Sequence, residues 1–399
     1  MIKKLNRIIN WQLVIIIILM ISLSVVTLKL GLPYYAKKPG ASSYWYKQIL
    51  FMILGFGIAF IIYKYGGDRL YSGMWVIYGV LMFFLLLLVI ERFSVNHFGV
   101  HIVPLASTVG GATSWFNFPG FSFQPSEFMK IAMIIVMSQI IDEHNQQYLV
   151  HEYSTDIKLI GKVMAVALPP CLLVYLQNDA GVAMIMLSGV VFILFAAGIK
   201  RNWFIIAFII ATVVILLMAY LFVFHQEIFS KIITGHKLDR FYGWVDPAGT
   251  YQNQGYQLYN AQMAYGTAGM FGHGFKDVII TLQEPQTDFI FALITLGFGF
   301  AGGLLVIALT LALDFTILNI AAKSNSKRDQ YFIAGVFGFL IFQQFWNIAM
   351  ILGLLPITGI TLPFFSYGGS SILSYMIAMG LILWIHKQNY ILEGKNRYN

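Results

Sequence analysis

The chain has 399 residues, of which 59% are hydrophobic and only 11% are charged, and its formal net charge is +8. Because a soluble globular domain carries about 25% charged residues, this composition excludes a soluble protein and indicates one that crosses a membrane several times. The positive charge fits an anionic bilayer surface or an anionic substrate, whereas the scattered placement of the basic residues disfavours nucleic acid as a partner.

Ten apolar runs predict membrane-spanning helices, each of which needs about 20 apolar residues. The first run follows a basic segment but precedes no small-residue cleavage site, so we interpret it as an uncleaved first helix. We therefore predict an all-α polytopic membrane protein with ten transmembrane helices in a single domain, residues 1–399. The runs lie at 11–29, 46–63, 71–90, 126–141, 163–177, 180–199, 203–224, 289–312, 331–352 and 369–385.

Lys and Arg residues concentrate in alternate connections between these runs. Short cytoplasmic loops are enriched in Lys and Arg, so this bias predicts that both termini are cytoplasmic. The connections at about 30–45, 91–125, 225–288 and 353–368 are then extracellular, and the longest joins helices 7 and 8. On the predicted inner side lie 15 of the 25 Lys and Arg residues: Lys3, Lys4, Arg7, Lys64, Arg69, Lys158, Lys162, Lys200, Arg201, Lys323, Lys327, Arg328, Lys387, Lys395 and Arg397.

The predicted extracellular connections are unusual in length and composition. The connection at about 225–288 is too long for a simple loop, and loops of that length are usually functional. Within it, residues 256–265 are predicted to form a short helix at the membrane interface. The connection at 353–368 is apolar but contains Pro356 and Pro363, so we expect it to dip into the membrane against protein rather than form a regular span.

Asp288 stands where the longest connection gives way to an apolar run. Ionisable residues at such positions are costly to keep and are functional candidates by default. Two interpretations remain open. Thr287 and Asp288 could begin the eighth helix and cap it, which would favour the ionised carboxylate. Alternatively, burial could raise the pKa of Asp288 and make it a general base.

Other polar residues near the predicted outer face also have two interpretations. Ser126 could cap a helix, and Lys130 could pair with Glu127 while its ammonium group extends outward, or Lys130 could face a cavity and meet a phosphate. Arg240 could be an ordinary surface cation. Asp179 is interpreted as part of a tight outer turn with its carboxylate in water. Trp115 could be an interfacial anchor.

Six motifs in chain order resemble the SEDS (shape, elongation, division and sporulation) family, which includes RodA, FtsW and SpoVE. The Thr-Gly-Ile variant of the last motif is more similar to RodA than to FtsW. The motifs are GATSW at 111–115, QPSEFMK at 124–130, DRFYGWVDP at 239–247, GYQ at 255–257, EPQTDFIF at 284–291 and LLPITGITLPFFSYGGSS at 354–371.

The resemblance implies polymerisation of peptidoglycan glycan chains from lipid II at the outer face of the cytoplasmic membrane, during cell elongation or shape maintenance. It places the essential acidic residue of the family at Asp288. It implies a substrate-binding set of Trp115, Glu127, Lys130, Arg240, Gln257, Ser366 and Tyr367. The chain departs from the family pattern at Ser114, where an Arg is frequent, and at Leu296 and Gly297, where paired Glu residues are frequent.

This chemistry fits the residues. A positioned carboxylate such as Asp288 can take the proton of the GlcNAc 4-hydroxyl of lipid II as it attacks a lipid-linked glycan donor, in a direct, inverting displacement. Lys130 and Arg240 could stabilise the leaving pyrophosphate. No ligand cluster marks a metal site, although Mg²⁺ or Mn²⁺ could share this role. A class B penicillin-binding protein and the elongation machinery are the expected partners, because no transpeptidase domain is evident in the chain.

The alternatives are a lipid II flippase, an FtsW-type division polymerase and a non-catalytic scaffold. A bundle of ten helices with an intramembrane lysine also suits a transporter. A flippase should need charged residues through the depth of the membrane and a path from the inner face. The unusual residues gather instead on the predicted outer side, which favours chemistry on a substrate that has already been flipped.

Overall fold

The structure is a computed structural model that describes residues 9–36, 40–233 and 235–396. Lys3, Lys4, Arg7 and Arg397, which contribute to the predicted orientation, lie outside the described residues. Within these residues there are ten helices of 18 residues or more, and all but the seventh, which has no buried residue, pack into a bundle. They are α1 (Trp11–Leu30), α2 (Tyr44–Tyr65), α3 (Gly67–Phe98), α4 (Pro125–Gln147), α5 (Tyr153–Leu176), α6 (Ala180–Ala197), α7 (Arg201–Phe224), α11 (Ile290–Ala322), α12 (Lys327–Ile351) and α13 (Gly369–Asn396).

Each of the ten predicted apolar runs overlaps one of these helices, so the polytopic all-α class is confirmed. Within the described residues, nine of the helices are long and apolar enough to cross a membrane. The exception is α4, which carries the charged residues Glu127, Lys130, Asp142 and Glu143. The number of ten spans and the cytoplasmic position of both termini stay predictions.

Helix α4 lies inside the bundle, against α3, α5, α6, α12 and α13. Close helix approach depends on small residues, as is common inside membranes. A methyl group added at Gly335 of α12 would lie 2.7 Å from Cγ2 of Ile134, and one at Gly189 of α6 would lie 3.1 Å from Cδ1 of the same residue. Glycine at both positions therefore lets three helices meet around Ile134, which is 1% exposed.

Helix α11 is interrupted at Gly299, whose φ of 69° and ψ of −160° are not helical. The segment before α11 fills the break, because Phe300 N donates to Gly269 O at 2.9 Å and Ala301 N donates to Met270 O at 3.1 Å. A Cβ at position 299 would lie 2.4 Å from Gly272 N, so glycine is required both by its backbone conformation and by this contact. The first leg of α11, residues 290–298, is thereby set apart from the longer second leg.

The connections 99–124, 225–289 and 352–368 gather at one end of the bundle, which we call the loop end. They contain more regular structure than the sequence predicted. A three-stranded antiparallel sheet, β1 (Ala106–Val109), β2 (Ala112–Phe118) and β3 (Phe121–Phe123), follows α3. The connection predicted at 91–125 was wrong at its start, because α3 continues to Phe98.

The longest connection contains three short helices: α8 (Gln226–Ile232), α9 (His236–Val245) and α10 (Tyr256–Thr267). The helix predicted at 256–265 is confirmed as α10. Trp244 Nε1 on α9 donates to Gly353 O at 2.9 Å, which fastens α9 to the segment 352–368. The longest connection is therefore a folded layer over the loop end.

Candidate active site

Asp288 lies in a turn that precedes α11, and the capping interpretation of this residue is wrong. The helix begins at Ile290, its N-cap residue is Phe289, and no side chain caps it. The turn is closed by Glu284, whose φ is +46° and whose carbonyl accepts hydrogen bonds from Thr287 N at 3.1 Å and Phe289 N at 3.3 Å. The sequence alone could not place the first helical turn, because these turn contacts delay the start of the helix until two residues after Asp288.

The turn is held on both sides by buried side chains. Asn347 of α12, which is fully buried, donates from Nδ2 to Asp288 O at 2.8 Å and to Ile360 O at 2.7 Å. Ser366 Oγ donates to Thr287 O at 2.6 Å and accepts from Leu362 N at 2.8 Å. The Asp288 backbone is therefore clamped between α12 and the segment 352–368.

The segment 352–368, which was expected to pack against protein, lies directly against the Asp288 carboxylate. A Cβ added at Gly359, where φ is +76°, would lie 3.4 Å from Asp288 Oδ2. Tyr367 N donates to Gln286 O at 2.8 Å, and the Tyr367 ring stacks on Tyr44 with ring centroids 4.5 Å apart. Burial, together with the neighbouring Tyr44, raises the pKa of Tyr367 to about 12. Substrate binding by Ser366 and Tyr367 stays a prediction; in the structure both residues shape the Asp288 turn.

Glu127 and Lys130 form a buried ion pair on α4. Lys130 Nζ lies 3.0 Å from Glu127 Oε2 and 3.5 Å from the Tyr375 hydroxyl, and Lys130 is 0% exposed. The expected pairing at i,i+3 is thus present, but the expectation that the ammonium group extends outward is wrong. The capping role considered for Ser126 is also wrong, because Gln124 is the N-cap residue and no side chain caps α4.

Asp179 is a member of the site that sequence reasoning assigned to water. Its carboxylate is half-buried and caps α6, with Val182 N at 3.2 Å from Oδ1 and Gln124 Nε2 at 3.2 Å from Oδ2. Burial raises the pKa of Asp179 to about 6; the charge of Glu127 adds to this rise and that of Lys130 opposes it. The signal for Asp179 in the sequence is the polar turn Gln177-Asn178-Asp179 between two apolar runs.

The Asp288 carboxylate is half-buried at the loop end, with carboxylates and one cation around it. Burial raises the pKa of Asp288 to about 6. The negative charges of Glu284 and Asp179 contribute to this rise, and the positive charge of Arg240 on α9 opposes it. Asp179 interacts electrostatically with Asp288 and also with the Glu127–Lys130 pair, so these charged groups are coupled to one another.

The remaining predicted residues lie around these charged groups. Arg240 is exposed on α9. Gln257 of α10 donates from Nε2 to Gln283 Oε1, next to the Asp288 turn. Trp115 lies half-exposed on β2, beside the buried Ser114; because neighbouring strand residues point to opposite faces, the two side chains diverge. Direct substrate contacts of these residues stay predictions.

No group of three or more His, Cys, Asp or Glu side chains that could hold a metal ion occurs among the described residues. Mg²⁺ commonly needs only one or two carboxylates together with substrate phosphates. Asp288 and Asp179 could supply such carboxylates, so Mg²⁺ or Mn²⁺ as a cofactor stays a prediction.

The arrangement can be compared with known proteins. The family model described as "Cell cycle protein", which covers FtsW, RodA and SpoVE, matches residues 7–391. The chain belongs to this family, the SEDS family. It is 30% identical over 379 residues to stage V sporulation protein E of Bacillus subtilis, covering 93% of this chain and 95% of the relative. It is 30% identical over 355 residues to the probable peptidoglycan glycosyltransferase FtsW of Enterococcus hirae, covering 88% and 84%.

Solved structures share the fold of this SEDS chain. One is a peptidoglycan synthase complex that coordinates polymerization and crosslinking, with a TM-score of 0.73 at 24% identity. Another is the rod shape determining protein RodA of Thermus thermophilus, with a TM-score of 0.65 at 23% identity. Each match covers 96% of this chain and 98% of the other. The bundle is therefore the SEDS fold over nearly its whole length.

Proposed function

We propose that this SEDS chain is a peptidoglycan glycosyltransferase that polymerises lipid II into glycan strands. The observation that carries the proposal is the half-buried Asp288 carboxylate, which is clamped at the loop end and has a pKa of about 6. A general base works best when its pKa lies near the pH at which the enzyme operates. The peptidoglycan glycosyltransferase names of the FtsW relatives support this assignment.

In the reaction that we propose, the GlcNAc 4-hydroxyl of lipid II attacks the anomeric carbon of the lipid-linked donor. The new C–O bond forms as the bond from the anomeric carbon to the pyrophosphate oxygen breaks, with inversion. The proton of the attacking hydroxyl passes to the Asp288 carboxylate, and the pyrophosphate leaves with the bonding electrons. Asp288 is then protonated and must release that proton before the next cycle.

Negative charge develops on the pyrophosphate as it leaves, and preorganised cations stabilise such charge. Arg240 is suited to this role, because it is exposed and its charge reaches Asp288. Lys130 is instead fully buried and already paired with Glu127. In this conformation its positive charge acts on the carboxylate of Asp179 rather than on solvent.

The substrate and partner assignments follow from the same proposal. The loop end is the extracellular face of the cytoplasmic membrane, where lipid II is presented after it has been flipped. A class B penicillin-binding protein crosslinks the product and joins the chain in the elongation machinery. The likeness to a synthase complex that coordinates polymerization and crosslinking supports such a partner.

The purified chain, combined with labelled lipid II and a class B penicillin-binding protein, tests the proposal. We expect labelled glycan polymer and release of polyprenyl pyrophosphate. The buried Glu127–Lys130 pair is an intramembrane charge site, which is the observation that favours the flippase alternative. The same protein in liposomes, with lipid II in one leaflet, tests that alternative. Movement of lipid between leaflets without polymer would overturn the glycosyltransferase assignment.

A further inference from the structure

A series of buried polar side chains, which we call the polar link, leads away from Lys130. Lys130 Nζ lies 3.5 Å from the Tyr375 hydroxyl of α13, and that hydroxyl donates to Gln343 Oε1 of α12 at 2.8 Å. Gln343 Nε2 in turn donates to Thr361 O at 3.3 Å. Tyr375 and Gln343 are both buried in the bundle. Thr361 belongs to the segment 352–368, so the polar link ends on the element that packs against the proposed base.

The donors of the polar link all point in one direction. A lysine ammonium group has three donors and no acceptor, so beside the Tyr375 oxygen it must face the lone pairs of that oxygen. The Tyr375 hydrogen is then directed away from Lys130 and toward Gln343 Oε1. The amide nitrogen of Gln343 is left to face Thr361 O. The charge of Lys130 therefore sets the orientation of two neutral side chains and fixes a donor at the segment.

Helix α12 presents two donors to this segment. Gln343 and Asn347 are four residues apart, so they lie on one face of the helix. Asn347 donates to Ile360 O at 2.7 Å and to Asp288 O at 2.8 Å. Gln343 donates to the next carbonyl group of the segment, Thr361 O. The polar link therefore ends one residue away from the carbonyl group that shares Asn347 with the Asp288 backbone.

The Tyr375 ring supports the segment at a second point. Phe364 has a φ of +65°, a left-handed conformation that is costly for a residue with a side chain and persists only where surrounding contacts hold it. Phe364 is buried, and the centroids of its ring and the Tyr375 ring are 5.3 Å apart. Lys130 Nζ lies 5.0 Å from the centroid of the same Tyr375 ring. One aromatic residue thus contacts both the cation and the strained residue of the segment.

We propose that Tyr375 and Gln343 are positioning residues, which hold the segment 352–368, and with it the Asp288 carboxylate, in the geometry that the Lys130 charge sets. The inference rests on the proposed function, since it concerns the base of that reaction. It gives the buried ammonium group a role that requires no contact with the donor pyrophosphate. The polar link transmits orientation, and no proton moves along it.

Removal of the Tyr375 hydroxyl tests the proposal. Tyr375→Phe keeps the ring against Phe364 and removes the hydrogen bond to Gln343. We expect kcat for lipid II polymerisation to fall about tenfold to a hundredfold, because the base is misplaced, while KM stays nearly the same. The control is Tyr71→Phe, which removes a buried hydroxyl that donates to Asp329 Oδ1 at 3.0 Å at the opposite end of the bundle. This control should lower the thermal unfolding temperature by a similar amount and leave kcat unchanged.

A double variant separates positioning from a general loss of packing. Gln343→Met is of similar size and removes both hydrogen bonds of that side chain, so Gln343→Met and Tyr375→Phe each break the same polar link. The double variant should have the kcat of the slower single variant, because residues that act as a unit have non-additive effects. Multiplied losses in the double variant, a wild-type kcat in Tyr375→Phe, or an equal fall of kcat in Tyr71→Phe would overturn the proposal.

Hydrogen–deuterium exchange measures the position of the segment without relying on activity. Backbone amide groups of the segment and of the Asp288 turn are hydrogen-bonded and should exchange slowly in the wild type. Peptides that cover residues 284–291 and 360–368 should exchange faster in Tyr375→Phe, whereas Tyr71→Phe should match the wild type there. Unchanged exchange in Tyr375→Phe would overturn the proposal. Faster exchange in that variant, with no polymer from the wild-type chain, would count against the proposed function alone.

Discussion

Asp288 should impose an acid limit on activity. Its pKa is about 6, and burial is the largest cause of this rise, so the carboxylate is ionised above that pH and protonated below it. A base must be ionised to accept a proton, so kcat/KM should fall as the pH drops below about 6. A pH profile of the polymerisation rate measures this fall, which we call the acid limb. The nearby Asp179 has a pKa in the same range, so the limb reports both carboxylates together.

Asp179→Asn provides the control for that profile. Removing this negative charge takes away one of the influences that raise the pKa of Asp288, so the acid limb should move to lower pH. A limb that stays in place in Asp179→Asn would contradict the coupling between the two carboxylates. A wild-type profile that is flat down to pH 4 would contradict the assignment of Asp288 as base.

Lys130 should matter for stability as well as for activity. Lys130→Met leaves Glu127 as an uncompensated buried charge, which typically destabilises a protein by about 3–5 kcal/mol. The thermal unfolding temperature in detergent should be clearly lower for Lys130→Met than for the wild type. It should recover substantially in the double variant Lys130→Met with Glu127→Gln. Lys231→Met, at an exposed lysine, should unfold like the wild type. Equal stability of all four proteins would contradict a buried ion pair.

At the scale of single residues, the sequence singled out Asp288, Glu127 and Arg240, because charged residues are rare in an apolar chain. Their roles in catalysis and substrate binding stay predictions. The capping role of Asp288 and the outward position of Lys130 were wrong, because the helix start and the burial depend on contacts from α12 and α13. Asp179 was assigned to water for the same reason: Gln124, far away in sequence, covers it.

At the scale of elements, the segment 352–368 is expected to set the geometry of the base. Ser366→Ala removes the hydrogen bonds to Thr287 O and from Leu362 N, with a cost of about 1–3 kcal/mol for buried partners left unpaired. Because the Asp288 turn would shift, kcat should fall while KM changes little. Ser72→Ala at the opposite end of the bundle, where the hydroxyl donates to Arg69 O, is the control. An unchanged kcat in Ser366→Ala would contradict the clamping role.

The elements themselves were predictable to different degrees. The ten long helices follow from apolar runs, since the bilayer demands such runs wherever a helix meets lipid. The three-stranded sheet was missed, although Gly110-Gly111, both with positive φ, form a two-residue turn between β1 and β2 that is typical of a hairpin. Only α10 was foreseen in the longest connection, because short helices there depend on contacts such as that between Trp244 and Gly353.

At the scale of the whole molecule, the predicted orientation can be measured by cysteine labelling. Cys171 is the single native cysteine, so single cysteines can be placed in a Cys171→Ala background. In intact cells, a membrane-impermeant maleimide should label Thr281→Cys at the loop end but should label Lys327→Cys, at the opposite end, only after lysis. Both positions are exposed in the structure. The reverse pattern would contradict an extracellular loop end.

The central claim is that Asp288 is the base of a lipid II polymerase, and one comparison tests it most directly. The variant Asp288→Asn keeps a side chain of the same size but cannot accept the proton. Its polymerisation rate is measured with lipid II and a class B penicillin-binding protein and compared with that of the wild type. The control is Asp277→Asn, at an exposed aspartate of the same connection. The account predicts that Asp288→Asn folds normally and loses at least about 10²-fold in polymerisation rate, whereas Asp277→Asn matches the wild type. A folded Asp288→Asn protein that polymerises lipid II at the wild-type rate would contradict it.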